Sequence, residues 1–198
     1  MGLFTKPKKL EVKTYGNPVL RKECREIPEI TPEISDLAER MVQCMYDENG
    51  IGLAAPQVGV NLRMFVIDTC VEENEVYSTP GEAYLSPKMP LAIINPEIVS
   101  TSGPDKPFVE GCLSIPGVNA TVIRPDVIRL KGKLLNGEEI DIECGGSLSR
   151  CAQHEIDHLD GVLFTDKADV EEVLEAKLQL DKLTETNKRQ IQKKKRRR

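Results

Sequence analysis

The 198-residue chain has no tryptophan, only four Phe and four Tyr, and two histidines in all. With so few aromatics, any core must be built from aliphatic side chains. Leu, Ile and Val do recur in periodic runs, so the scarcity does not imply disorder. No stretch approaches 18 consecutive apolar residues, which leaves no candidate for a helical membrane span. Met1 to Lys6 lacks the apolar stretch of a secretory signal, and Lys6 stands where an N-myristoylation pattern after Gly2 needs Ser or Thr. The expected compartment is the cytosol or an organellar matrix of similar chemistry. The six cysteines (24, 44, 70, 112, 144 and 151) form no C-x-x-C pair and no short-loop framework. Free thiols are expected, with at least one available as a ligand.

A length of 198 residues, 39% hydrophobic and 30% charged, suits one compact domain with appendages. The net charge of −5 conceals a division, because the last eleven residues, 188–198, hold eight Lys or Arg and no acid. The body is therefore strongly acidic and the tail basic. Thr31-Pro32-Glu33 reads as a helix start, and Ile34, Leu37, Ala38, Met41, Val42 and Met45 give one apolar face before a stop at Asn49-Gly50. Strands are expected at 62–69, 91–100, 122–130 and 140–143, with a tight hairpin at Asn136-Gly137. Residues 71–90 read as a surface loop. A second helix is expected from a Ser147 cap to Gly161, and a third from an Asp169 cap, with the basic tail fraying from its end. Strands joined by hairpin signals with few helices indicate an α+β fold.

Both histidines lie in His154-Glu155-Ile156-Asp157-His158, within the second expected helix. At i and i+4 the two imidazoles share a face, so both can point a nitrogen at one ion. Glu155 would then lie beside that ion, placed to handle the proton of a water. The alternative is a surface helix that happens to carry two His. A catalytic centre needs a further protein ligand. Downstream it would have to be a carboxylate such as Glu171 or Glu175, the arrangement of a zinc endopeptidase. Upstream, Glu110-Gly111-Cys112-Leu113-Ser114 offers a thiolate instead.

Three segments in order, Gly50-Ile51-Gly52-Leu53-Ala54-Ala55-Pro56-Gln57-Val58-Gly59, Glu110 to Ser114, and Gln153 to His158, together resemble the peptide deformylases. Gly16-Asn17-Pro18-Val19-Leu20 extends the resemblance, which covers about residues 10–168. It implies a catalytic domain over 1–168, a C-terminal helix and tail over 169–198, and antiparallel sheets around a central metal-bearing helix. It also implies removal of the formyl group from the initiator methionine of nascent polypeptides, with release of formate. Carried over by position, Cys112, His154 and His158 are the metal ligands and Glu155 the proton-transfer residue. Gln57 and the backbone N–H of Leu113 serve the oxyanion, and Gly52 contacts substrate. By position, Ile51 and Cys151 are candidates for the methionine pocket. Glu110 and Gly111 belong to the substrate-side loop, with Glu110 and Asp157 as orienting carboxylates.

The chain departs from the family pattern at two positions. Asn49 and Asn119 stand where many members have Glu and Arg, and losing both partners of a pair strands no charge. The two asparagines are expected to face each other across the substrate mouth and to alter peptide preference. The resemblance implies Fe²⁺, with Zn²⁺, Ni²⁺ or Co²⁺ able to occupy such a site. The tail 188–198 resembles the basic extensions with which some deformylases dock at the ribosome. The protein is expected to be a monomer with no membrane partner. A second reading is a ribosome- or RNA-associated relative whose metal is structural, favoured only by Asn49 and Asn119.

Overall fold

A computed structural model describes residues 9–69 and 77–196. Cys70, residues 71–76 of the expected loop, the amino-terminal Met1–Lys8 and Arg197–Arg198 lie outside the described residues. The elements run α1 (Pro32–Asp47), β1 (Gly52–Ala54), β2 (Met64–Ile67), α2 (Pro80–Leu85), β3 (Leu91–Gly111), β4 (Asn119–Leu134), β5 (Glu139–Cys144), α3 (Gly146–Leu159), α4 (Val170–Glu175) and α5 (Lys177–Lys195). The strands form a single antiparallel sheet in the order β1-β2-β3-β4-β5, so the α+β expectation holds with one sheet rather than several.

The sheet is covered on both faces. Phe65 and Ile67 of β2, with Ile93, Ile128 and Leu130, pack against Leu148, Ala152, Ile156 and Leu159 of α3. Met64 and Val66 point the other way, onto Ala38, Met41 and Met45 of α1. Strand residues alternate faces, so burial on both sides explains why Met64–Ile67 reads as an unbroken apolar run. A third cluster joins Ile115, Val118, Ala120 and Val122 to Phe164 and Leu180, and ties the C-terminal segment to the body.

Several expectations change. The stretch read as a loop carries α2 and a 3₁₀ turn at Ser86–Lys88. Thr79 Oγ1 accepts the Glu82 N–H at 3.4 Å and donates to Glu82 Oε2 at 2.8 Å, a capping arrangement that nucleates α2 despite the flanking prolines. β1 was not expected, being three residues long. β3 and β4 extend far beyond the expected strands, and β3 runs on to Gly111, so Cys112 follows a strand end rather than a loop. The register shifts between Ile94 and Glu97 and between Ser102 and Asp105 absorb Pro96 and Pro104, which punctuate the sequence without ending the strand.

The helix ends differ as well. α3 is capped by Gly145, with Ser147 already inside it. Thr31 occupies the expected N-cap of α1 but makes no side-chain capping bond, and the left-handed residue closing that helix is Asn49 (φ 58°). Asp169 caps α4 through the N–H groups of Glu171 and Glu172, yet the expected third helix breaks at Ala176 into α4 and α5. Helical structure continues to Lys195 where fraying was expected. No helix among the described residues is long and apolar enough to cross a membrane.

Candidate metal centre

The end of β3 and the inner face of α3 meet at Cys112, His154 and His158. Their ligand atoms all lie within 4.8 Å of one another. Cys112 Sγ is 3.1 Å from His158 Nε2, and the two imidazoles cross edge to face with centroids 5.0 Å apart. Donors around a tetrahedral ion with bonds of about 2.0–2.3 Å lie roughly 3.3–3.7 Å apart, so a small inward movement closes this set on an ion. Glu171 and Glu175, the downstream alternatives, lie on α4 and are not in the cluster.

Electrostatics point the same way. Burial alone would depress His154, but hydrogen bonds to Cys112 and Glu110 outweigh it and raise its pKa to about 10. Burial pushes His158 well below its ordinary value. The pocket thus favours positive charge between Cys112 and His154 while His158 stays a neutral donor, which suits a divalent cation. His154 Nδ1 is fixed by Glu110 Oε2 at 2.9 Å, which turns the other ring nitrogen towards the cluster, and Phe164 stacks on the same ring at 6.1 Å.

Glu155 is buried, and its Oε2 has no hydrogen-bond partner among the described residues. Burial holds its carboxyl up at about 7, against the pull of neighbouring cations, which is the range for moving a proton near neutrality. Gln57 is also buried. Its Oε1 accepts the Ala54 N–H at 2.7 Å, and its Nε2 lies 3.2 Å from Ser114 Oγ and 3.4 Å from Cys112 Sγ. With its carbonyl pinned, the amide N–H₂ is directed at the cluster.

A cleft of about 790 Å³ opens over this centre. Ile51, Gly52, Gln57, Glu110, Gly111, Cys112, Leu113, Cys151, His154 and Glu155 all line it, and so do Asn49 and Asn119. His158 and Asp157 do not line it and are buried beneath it. A Cβ on Gly52 would sit 2.5 Å from Glu155 Oε1 and 2.6 Å from Cys151 Sγ, so only glycine allows this backbone so near the proton-handling group.

Sequence reasoning missed Arg124, Arg150 and Lys167. Arg124 grips Glu110 through Nε (2.7 Å) and a terminal nitrogen (2.9 Å), and reaches Asp157 with the other terminal nitrogen (2.8 Å). Arg150 adds a bond to Glu110 (2.9 Å), and Lys167 one to Asp157 (2.6 Å). The readable signal for Arg124 was phase. Ala120, Val122 and Arg124 alternate on the buried face of β4, so the arginine had to point inward.

An antiparallel sheet whose β3 end brings Cys112 against a helix carrying His154, His158 and the buried Glu155 is the arrangement of a metal-dependent hydrolase. The polypeptide deformylase family profile matches residues 9–173. The peptide deformylase of a Picosynechococcus species is 47% identical over 85% of this chain and 84% of that protein, and that of Carboxydothermus hydrogenoformans is 45% identical over 80% and 93%. A deformylase from Synechococcus elongatus, crystallised with actinonin, superposes with a TM-score of 0.75 at 40% identity over 91% of this chain and 89% of its own. The Plasmodium falciparum deformylase gives 0.79 at 30% identity over 90% and 97%. The chain belongs to the polypeptide deformylase family, hydrolases that remove the N-formyl group from polypeptides.

Proposed function

We propose that this chain hydrolyses the formyl amide of the initiator methionine on nascent polypeptides, with Cys112, His154 and His158 holding the ion. The observation that carries this reading is a buried Glu155 carboxyl, its Oε2 without a hydrogen-bond partner among the described residues, beside the three-donor cluster at the floor of an open cleft. When bound, a divalent ion polarises the formyl carbonyl and lowers the pKa of water. Glu155 takes a proton from the attacking water as its oxygen adds to the formyl carbon. It then returns that proton to the amine nitrogen as the C–N bond breaks, giving formate and a free α-amine. Gln57 Nε2 and the Leu113 N–H stabilise the negative charge that develops on the carbonyl oxygen.

The extended peptide lies along Ile51-Gly52 and Glu110-Gly111, where the glycines let two backbones approach. The methionine side chain packs against Ile51 and Cys151. Asn49 and Asn119, which line the same cleft, replace a charged pair with neutral amides and shift the preference for residues beyond methionine. The ion in the cell is Fe²⁺, as the family resemblance implies, and Zn²⁺, Ni²⁺ or Co²⁺ fits the same donors. The chain acts as a monomer over a catalytic unit of 1–168. The basic end of α5 docks on the phosphate backbone of the ribosome, in the cytoplasm or an equivalent organellar compartment.

The test is formate release from formyl-Met-Ala-Ser by protein purified without oxygen, with metal content measured on the same sample. Catalytic release from protein holding one ion per chain is expected. No release from fully metallated protein overturns the reading.

A further inference from the structure

The buried charges around α3 form a connected set. Glu110 has all four acceptor directions filled, Oε1 by Arg124 Nε and Arg150, and Oε2 by Arg124 and His154 Nδ1. Asp157 takes Arg124 on Oδ2 and Lys167 on Oδ1. Arg124 is 3% exposed and is the single member bonded to both carboxylates. One carboxylate fixes the ring of His154, and the other sits on α3 next to His158. The planar guanidinium fork is needed because three separate nitrogens engage two carboxylates at once, which a lysine ammonium on its flexible stem does not reproduce.

We propose that Arg124 is a positioning residue for the metal centre. By bridging Glu110 and Asp157 it holds the His154 ring and the His158 turn of α3 in one arrangement, so its loss is read first in how long the site retains its ion. The proposal rests on the reading that Cys112, His154 and His158 bind that ion. Arg124 touches neither the cluster nor the cleft, and its effect on a bound substrate is indirect.

The full-length chain is loaded with Zn²⁺, and the rate of Zn²⁺ loss to excess chelator is followed alongside the melting temperature of the metal-free protein. Arg124→Lys keeps the charge and removes the fork. It should release Zn²⁺ about 10- to 100-fold faster than wild type, while turnover per bound ion changes by less than about threefold. Wild-type release from folded Arg124→Lys, even with a lowered melting temperature, means a merely structural arginine and overturns the proposal. If Arg124→Lys does not fold, Asp157→Asn decides. It weakens one arm only, and faster release supports the bridge while an unchanged rate overturns it. A wild-type chain that binds no Zn²⁺ would instead refute the metal-site reading itself.

Discussion

Helices α3 and α5 both carry charged side chains, yet they use them in opposite ways. Ten of the fourteen residues of α3 are buried, and Arg150, His154 and Asp157 meet partners inside the protein while Glu155 keeps Oε2 open. α5 is longer, at nineteen residues, but Leu180 and Asn187 are its buried anchors, and its cations lie mostly on the surface. Asn187 Nδ2 reaches Thr14 Oγ1 at 2.7 Å and the Tyr15 carbonyl at 2.9 Å, and beyond it five of the helix's last eight residues are Lys or Arg. A helix that does chemistry must be fixed from several sides. If α5 docks as proposed, its two buried anchors hold the helix while its basic end stays exposed.

Apart from Glu155 itself, the largest break in this comparison comes from Gln57→Ala. It removes a directed donor beside Cys112, and kcat for formate release should fall about 100-fold with the ion retained. A change below threefold would remove Gln57 from the oxyanion role. Thiol chemistry sharpens it next. Burial pushes Cys24 up to about 11 and Cys144 up to about 12, and it raises Cys151 well above the ordinary value. Burial disfavours the thiolate, so at pH 8 these thiols should resist iodoacetamide and react only as pH climbs past 11 or on unfolding. Partly buried Cys112 of the metal-free protein should label before these three, as peptide mapping would show.

Smaller effects belong to α5. Asn187→Ala strips the hydrogen bonds that moor the helix to Thr14 and Tyr15, at a cost of about 1–3 kcal/mol in denaturant unfolding. An unchanged midpoint would mean that Leu180, Leu183 and the Gln179 bond to Pro116 hold the helix without Asn187. Ribosome binding should weaken steeply with salt through residues 188–198, while turnover of a short formyl peptide stays level. Salt-insensitive binding would place the docking surface elsewhere.

The candidate site was legible as a cluster because its signals are local. His154 and His158 share a pentapeptide, and the Gln57 and Cys112 segments each carry their own signature. Arg124 was not, since its partners lie 14 and 33 residues away and no local pattern announces an ion pair closed by tertiary packing. Proline content concealed the length of β3, although its bulges accommodate those residues. Thr79 and Glu82 stand at the spacing of a capping pair, so α2 had a readable start within a stretch whose composition otherwise suggested a loop. The continuity of α5 to Lys195 was hidden because a run of like charges argues against helix when no acidic partners are interleaved.

The division between the two helices is tested most directly by kcat/KM for formate release per bound ion, compared among wild type, Glu155→Gln and a chain ending at Asn187. Glu155→Gln should fall about 1,000-fold while keeping its ion, and the shortened chain should match wild type. Wild-type turnover by metallated Glu155→Gln, or loss of turnover on removing the tail, would contradict the account.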